Sequence, residues 1–287
     1  MDKESGAPPW AIEIIYYSDP YCTWCWGSEP ILRHLEVVLD GQLSLRYKMG
    51  GLVENIDDFY DPANDISSIK QVAPHWLEAS ARHGMPVDIT IFNKYDDEIR
   101  STYPSGIAYK AAELVDEDLA VKYLRRLREA AAALALPIHR RETQLELAEE
   151  IGLDADAVAA ALDDGRAEAA FRADIDEARD HGISSFPTFV VRNERGEQVA
   201  LRGFQPFDDF AGIIDSVHGT PLDRRKPPPL ENVLRAYKRL STQEAAEIYG
   251  VGREQATEGL EMLVKAGKAV MIPAGTGEFW DPLSNAK

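Results

Sequence analysis

Tyr16-Tyr17-Ser18-Asp19-Pro20-Tyr21-Cys22-Thr23-Trp24-Cys25-Trp26-Gly27 holds both cysteines of a 287-residue chain. Before it, Glu13 to Tyr17 is a short β-rich run that stops at Ser18-Asp19-Pro20. From Trp24 onward, Ile31, Leu32, Leu35, Val38 and Leu39 recur at helical spacing until Asp40-Gly41. The cysteine pair therefore falls at a strand-to-helix junction. Two intervening residues on a first helical turn bring two sulfurs close enough to bond. Cys22 caps the helix N-terminus, where free N–H groups and the helix dipole favour a thiolate. A thiolate attacks a disulfide, and the second cysteine, Cys25, resolves the mixed disulfide. Pro30 lies within the same helical pattern and predicts a kink. Two other readings compete: a pair of structural cysteines, or half of a shared metal site. The six histidines show no ligand spacing, so neither metal nor cofactor is expected, and the junction favours a redox pair.

Leu43 to Met49 alternates like a strand and ends at Gly50-Gly51, giving β-α-β. No convincing strand follows for 137 residues (50 to 186). Ile107 to Leu136, Glu142 to Ile151, Ala155 to Leu162 and Arg166 to His181 read as helices, with Asp154 as an N-cap and Gly152, Gly165 and Gly182 as stops. Pro187 to Val191 and Gln198 to Leu201 then form a hairpin around Asn193–Gly196, and Pro206 to Val217 is a closing amphipathic helix. Pro227-Pro228-Pro229 marks a stiff linker. The expected units are residues 1–218, with a helical insertion over about 55–182, a linker over 219–229, and a separate unit over 230–287.

With Glu29-Pro30 following it, the CxxC stretch resembles the DsbA family of the thioredoxin superfamily, in its FrnE-like and YjbH-like cytoplasmic branch. The resemblance spans about residues 11–218. It implies an α/β thioredoxin fold with a large all-helical insertion between the second and third strands. It also implies a thiol–disulfide oxidoreductase or isomerase acting on protein or peptide disulfides, with Cys22 attacking and Cys25 resolving. Its cis-proline loop corresponds to Ser185-Phe186-Pro187-Thr188, so Phe186-Pro187 is expected to be cis, with Trp24, Phe186, Pro187 and Thr188 bordering a peptide groove. The electron partner would be a small thiol or a thioredoxin-type protein. Two departures stand out. Thr23-Trp24 offers no positive charge where strongly oxidising members have histidine, which points to a less oxidising pair, opposed further by Asp19 and Glu29 if they lie close. The family's buried acid is Tyr16 here. The alternative implied by the YjbH likeness is a thioredoxin-like adaptor that holds a client or regulator for proteolysis.

Composition narrows the partners. With 49 acidic and 31 basic side chains the net charge is −18, which disfavours sequence-independent binding to a phosphate backbone. The tail is nearly neutral, with ten basic and nine acidic side chains over residues 219–287. Met1 to Trp10 lack a basic start and apolar stretch. The longest uncharged apolar run, Ala130 to Pro137, falls far short of the ~20 residues of a spanning helix. A cytoplasmic protein without a membrane partner is expected, its thiols kept mostly reduced. Residues 230–287 read as helix, helix-turn-helix and hairpin, resembling a winged helix. Glu254, Glu258 and Glu261 outnumber Arg253 and Lys265 on its third helix, so protein contact or homodimerisation is favoured over nucleic acid.

Overall fold

The structure, a computed structural model, describes residues 10–62 and 64–283. Residues 1–9, on which the absence of a leader rests, and 284–287, with Lys287, lie outside the described residues. The central strand β1 (Ile12–Ser18) pairs in parallel with β2 (Leu43–Met49) and antiparallel with β3 (Thr188–Asn193). Strand β4 (Gln198–Arg202) completes the order β2-β1-β3-β4. A parallel pair needs a crossover, and α1 (Thr23–Gly27) with α2 (Glu29–Val38) supplies it. The expected kinked helix is instead two helices. The break falls at Ser28, whose hydroxyl donates to the Trp24 carbonyl at 2.9 Å. Pro30 sits in the first turn of α2, where its missing N–H costs nothing.

Among its described residues the insertion holds a 3-10 turn (Ile56–Asp58) and seven helices: α3 (Ile69–His83), α4 (Ile91–Lys94), α5 (Tyr103–Val115), α6 (Glu117–Leu134), α7 (Arg141–Ile151), α8 (Ala155–Asp163) and α9 (Arg166–Asp180). The sequence shows no clear sign of α3, because Pro74 lies inside it. The single helix expected over 107–136 divides at Asp116, whose carboxylate accepts the Leu119 N–H at 2.8 Å and caps α6. Asp154 caps α8 as expected, accepting from the Ala157 N–H at 3.0 Å. Helix α10 (Phe207–His218) returns onto β3. Ile12, Ile14 and Tyr16 pack in one core with Leu35, Phe189 and Phe210, while Tyr17 meets Ala178 and Ile183 in another. Coverage on both faces explains why β1 is apolar nearly throughout.

Beyond 219–229, which carry no helix or strand, come α11 (Leu230–Tyr237), β5 (Leu240–Ser241), α12 (Thr242–Tyr249), α13 (Arg253–Lys265), β6 (Ala269–Ala274) and β7 (Gly277–Pro282). The three strands form a sheet of order β5-β7-β6. These elements have a small core of their own around Val233, Leu240, Leu260 and Trp280. They do not stand apart, however: Ala274 and Phe279 join the main core. The β6–β7 turn presses on the body, with the Thr276 N–H donating to the Val87 carbonyl at 2.9 Å and the Thr276 hydroxyl accepting the Val87 N–H at 3.1 Å.

Candidate functional site: a buried dithiol at the mouth of an apolar cavity

The end of β1 turns through Asp19, which is buried. Its carboxylate accepts the Tyr21 N–H at 2.8 Å, the Leu52 N–H at 2.9 Å and the Thr102 hydroxyl at 2.7 Å. The first tightens the cysteine loop, and the other two fasten it to the segment after β2 and to the insertion. Cys22 takes the N-cap of α1, its sulfur accepting the Cys25 N–H at 3.3 Å. The Cys22 thiol also reaches the Phe186 carbonyl at 3.6 Å. Both thiols are free, with Cys22 5% and Cys25 0% exposed. The sequence placed the two sulfurs together, and the structure adds which one faces outward.

Burial is the largest single influence on both thiols. Burial, then the hydrogen bond with Cys25 and its charge, and more weakly Asp19, push the Cys22 thiol well above the ordinary range. Burial also opposes a thiolate on Cys25. Its hydrogen bond with Cys22, the Arg128 charge, and hydrogen bonds from Ser18 and the Asp19 backbone outweigh that and hold it below the usual value. The two thiols share one hydrogen bond and therefore titrate as a pair. The Cys25 N–H, at the start of α1, works against burial at Cys22 and lowers its value. Thr23-Trp24 supplies no cation, as expected; Arg128, from α6, supplies one. Glu29 does not oppose the pair freely, because Arg128 and Arg125 hold it. Tyr16, where the family has an acid, is held as a phenol, chiefly by burial and then by the Cys25 charge, and donates to the Cys25 carbonyl at 3.3 Å.

A cavity of about 800 Å³ opens at Cys22, lined by Trp24 and Phe186 on one side and by insertion residues such as Phe59, Tyr60, Ile66 and Trp76 on the other. Trp24 is half-buried and edge-on to His83, with ring centroids 5.9 Å apart. Phe186 is half-buried, and its peptide bond to Pro187 is cis. Its ring fills the space that a side chain at Gly50 would need: a Cβ there would lie 2.0 Å from it. Pro187 is buried behind Phe186. Thr188 departs from its expected place at the groove. It is fully buried in β3, and its hydroxyl donates to the Ser185 carbonyl at 2.7 Å, holding the loop from inside.

Ser18, Arg128, His83 and the insertion's apolar wall have no local signature, since a lone arginine in a helix ordinarily reads as a solvated face. Among the described residues no group of three or more His, Cys, Asp or Glu side chains is placed to hold a metal ion. No helix among them is long and apolar enough to cross a membrane.

The chain is 27% identical over 271 residues to the ClpXP adapter protein SpxH of Halalkalibacterium halodurans, covering 94% of this chain and 88% of that protein. To SpxH of Bacillus subtilis it is 26% identical over 281 residues, covering 97% and 92%. Among solved structures, the cytosolic disulfide reductase DsbM of Pseudomonas aeruginosa superposes with a TM-score of 0.55 and 25% identity, covering 72% of this chain and 95% of that one. The thioredoxin family model matches residues 16–211. Strand order, the insertion and that match agree, and the chain belongs to the thioredoxin family as one of its DsbA-like members.

Proposed function

We propose that this protein is a thioredoxin-type adaptor of the cytoplasm that binds a client protein and presents it for proteolysis. The observation that carries this reading is the span of the likeness to the SpxH adapters, which covers 94% of this chain, against 72% for the disulfide reductase. The likeness thus extends past residue 211, where the thioredoxin match ends. The docking of residues 230–283 supports it further. A β6–β7 turn pressed on Val87 is not free to lie along a nucleic acid, while the two parts docked together offer a large surface to a protein. The test is capture of partners with wild type and with Cys22→Ala, followed by degradation of the captured protein by ClpXP with and without this chain. An adaptor accelerates that degradation and keeps doing so without Cys22. If no captured protein is degraded faster, the reading fails.

A second reading, thiol–disulfide exchange, is favoured by the free Cys22 thiol at the mouth of an apolar cavity. Cys22, once deprotonated, attacks one sulfur of a client disulfide; the client S–S bond breaks and the other client sulfur leaves as a thiolate. Cys25, giving up its own proton, then attacks Cys22 and expels the second client sulfur, leaving the pair as a disulfide. The two protons lost by the pair are the two the client gains as a dithiol. A small thiol or a thioredoxin-type partner would return the electrons. Cys22→Ser should abolish reduction of a scrambled protein, and an unchanged rate would refute this reading.

A further inference from the structure

Strand β2 is an edge of the main sheet, in the order β2-β1-β3-β4. Its even positions face β1: the Gln42 carbonyl accepts from the Ala11 and Ile12 N–H groups, and the Gly50 N–H donates to the Ser18 carbonyl at 2.8 Å. Backbone groups alternate sides along a strand, so Leu43, Leu45, Tyr47 and Met49 direct theirs away from the sheet. Met49 agrees, its N–H donating to the Asp174 carboxylate at 3.0 Å. Tyr47 is buried beside Tyr109 of α5, with ring centroids 6.4 Å apart. The insertion thus covers one end of this edge. At the other end Leu43 and Leu45 are half-buried, and among the described residues nothing is hydrogen-bonded to their outward backbone groups.

Side chains follow the same period of two. Leu43, Leu45 and Tyr47 line one cavity of about 450 Å³ together with the buried Ile14, Leu32 and Leu35. It shares no lining residue with the cavity at Cys22, and its size is within the range of about 300–1,000 Å³ usual for ligand pockets. Tyr47 is 8% exposed, yet its hydroxyl has no hydrogen-bond partner among the described residues. A buried phenol ordinarily finds one. Glu36 of α2 and Asp118 and Lys122 of α6 supply the charged part of the lining. The Tyr237 hydroxyl holds Glu36 at 3.0 Å, while Asp118 has no ion-pair partner among the described residues. Two acids against one base make this rim acidic, on a chain whose net charge is −18.

We propose that the open end of β2 and the cavity beside it form a docking site for an extended, basic and apolar segment of a partner protein. The segment adds a strand against Leu43 and Leu45, one large apolar side chain fills the cavity, and flanking Lys or Arg side chains meet Glu36 and Asp118. Strand addition supplies main-chain hydrogen bonds, and the pocket selects the side chain. The acidic rim and the acidic chain attract a basic partner and steer its approach. The Tyr47 hydroxyl is left to bond a polar group of the segment. This rests on the adaptor reading for the choice of a protein occupant. Its test needs neither protease nor cysteine, so failure of client degradation and failure of the groove are told apart.

The probe is the acetylated, amidated pentapeptide Lys-Val-Phe-Val-Lys, whose extended form puts both lysines on the side of the phenylalanine. It is titrated to about 1 mM, a weak-binding range, into the full chain with Leu and Val methyl groups followed by NMR. Saturable shifts should appear at Leu43, Leu45 and Val121. The same peptide with Glu in place of Lys should bind roughly tenfold more weakly, since both rim contacts turn repulsive. Val121→Trp, which fills the cavity, should remove the shifts. Asp118→Lys, an exposed change on α6, should weaken the basic peptide about fivefold, and it decides the matter should the tryptophan variant fail to fold. Shifts that do not saturate, that fall at the Cys22 cavity instead, or that are equal for the two peptides would overturn the proposal. So would shifts of the same methyls with protein concentration alone, which would assign the groove to a second copy of this chain.

Discussion

Arg33 Nη1 lies 2.9 Å from a Glu244 carboxylate oxygen, with the two side chains 9% and 0% exposed. Arg33 belongs to the helix that follows the cysteines and Glu244 to the C-terminal elements, so this pair joins two parts of the chain that the proline linker separates. Arg125 Nη2 approaches the same carboxylate at 3.1 Å, and Glu244 also completes a capping box with Ser241. One buried carboxylate thus caps α12, neutralises two arginines and seats the C-terminal unit.

Glu244→Ala should therefore lower the unfolding free energy by about 3–5 kcal/mol, the range for removing one partner of a buried ion pair. Glu244→Gln, which keeps a capping-box side chain, should cost less. Urea unfolding of both variants checks this. A loss near ~1 kcal/mol for the alanine variant, no more than a lost cap, would show that the arginines are satisfied without it.

Gly275 is a point of close backbone approach in the docking. Its φ is +51°, and a Cβ would lie 2.3 Å from the Val87 carbonyl oxygen, a backbone atom with little freedom to yield. We expect Gly275→Ala to destabilise by about 1–3 kcal/mol and to speed amide exchange at Thr276, whose N–H bonds Val87. Unchanged exchange there would mean that the turn is held by other contacts.

Gly50 and Phe186 should be energetically coupled. Gly50→Ala forces the Phe186 ring away from its place beside the cavity, at about 1–3 kcal/mol for overpacking. In a Phe186→Ala background the same substitution has room. A double-mutant cycle by denaturant unfolding should then return a coupling of about 1 kcal/mol or more. Additive effects would place the ring's anchor elsewhere.

His83 makes stability depend on pH. Burial pushes its pKa down to about 4 from the usual 6.5. The Met85 N–H donates to Nδ1 at 3.1 Å, which leaves the proton on Nε2, 3.4 Å from the Thr23 hydroxyl. Because the folded pKa lies below the unfolded one, the unfolded chain binds the proton first. The contribution is complete above about pH 6.5 and falls toward pH 4, at about 1.4 kcal/mol per unit. Unfolding free energies between these limits should slope accordingly, more gently in His83→Gln. Equal slopes would assign the dependence to other groups.

Strands β1 to β4, the C-terminal hairpin and the helices with strong periodicity were legible in the sequence, as was the Asp154 cap, since each depends on neighbours within a few residues; β5, two residues at the end of a helical pattern, was not. Helix α3 was not, because Pro74 breaks its pattern, while Trp76 packs in the main core and Ala79 is fully buried. Thr188 was expected at the groove because it adjoins the proline. Strand pairing turns it inward, opposite Tyr17 and Arg202.

By itself the sequence determined the β-α-β start, the helical insertion, the hairpin and helix that close the sheet, and the meeting of Cys22 with Cys25, all consequences of short-range spacing and local backbone preference. Only the tertiary structure decided which sulfur is outward, that Arg128 reaches Ser18 and Glu29, that Phe186 leans on Gly50, and that the C-terminal unit is fastened to α2 and α6. Those outcomes rest on desolvation, charge pairing and steric fit, which depend on distance through space, and residues a hundred positions apart carry no local mark of it.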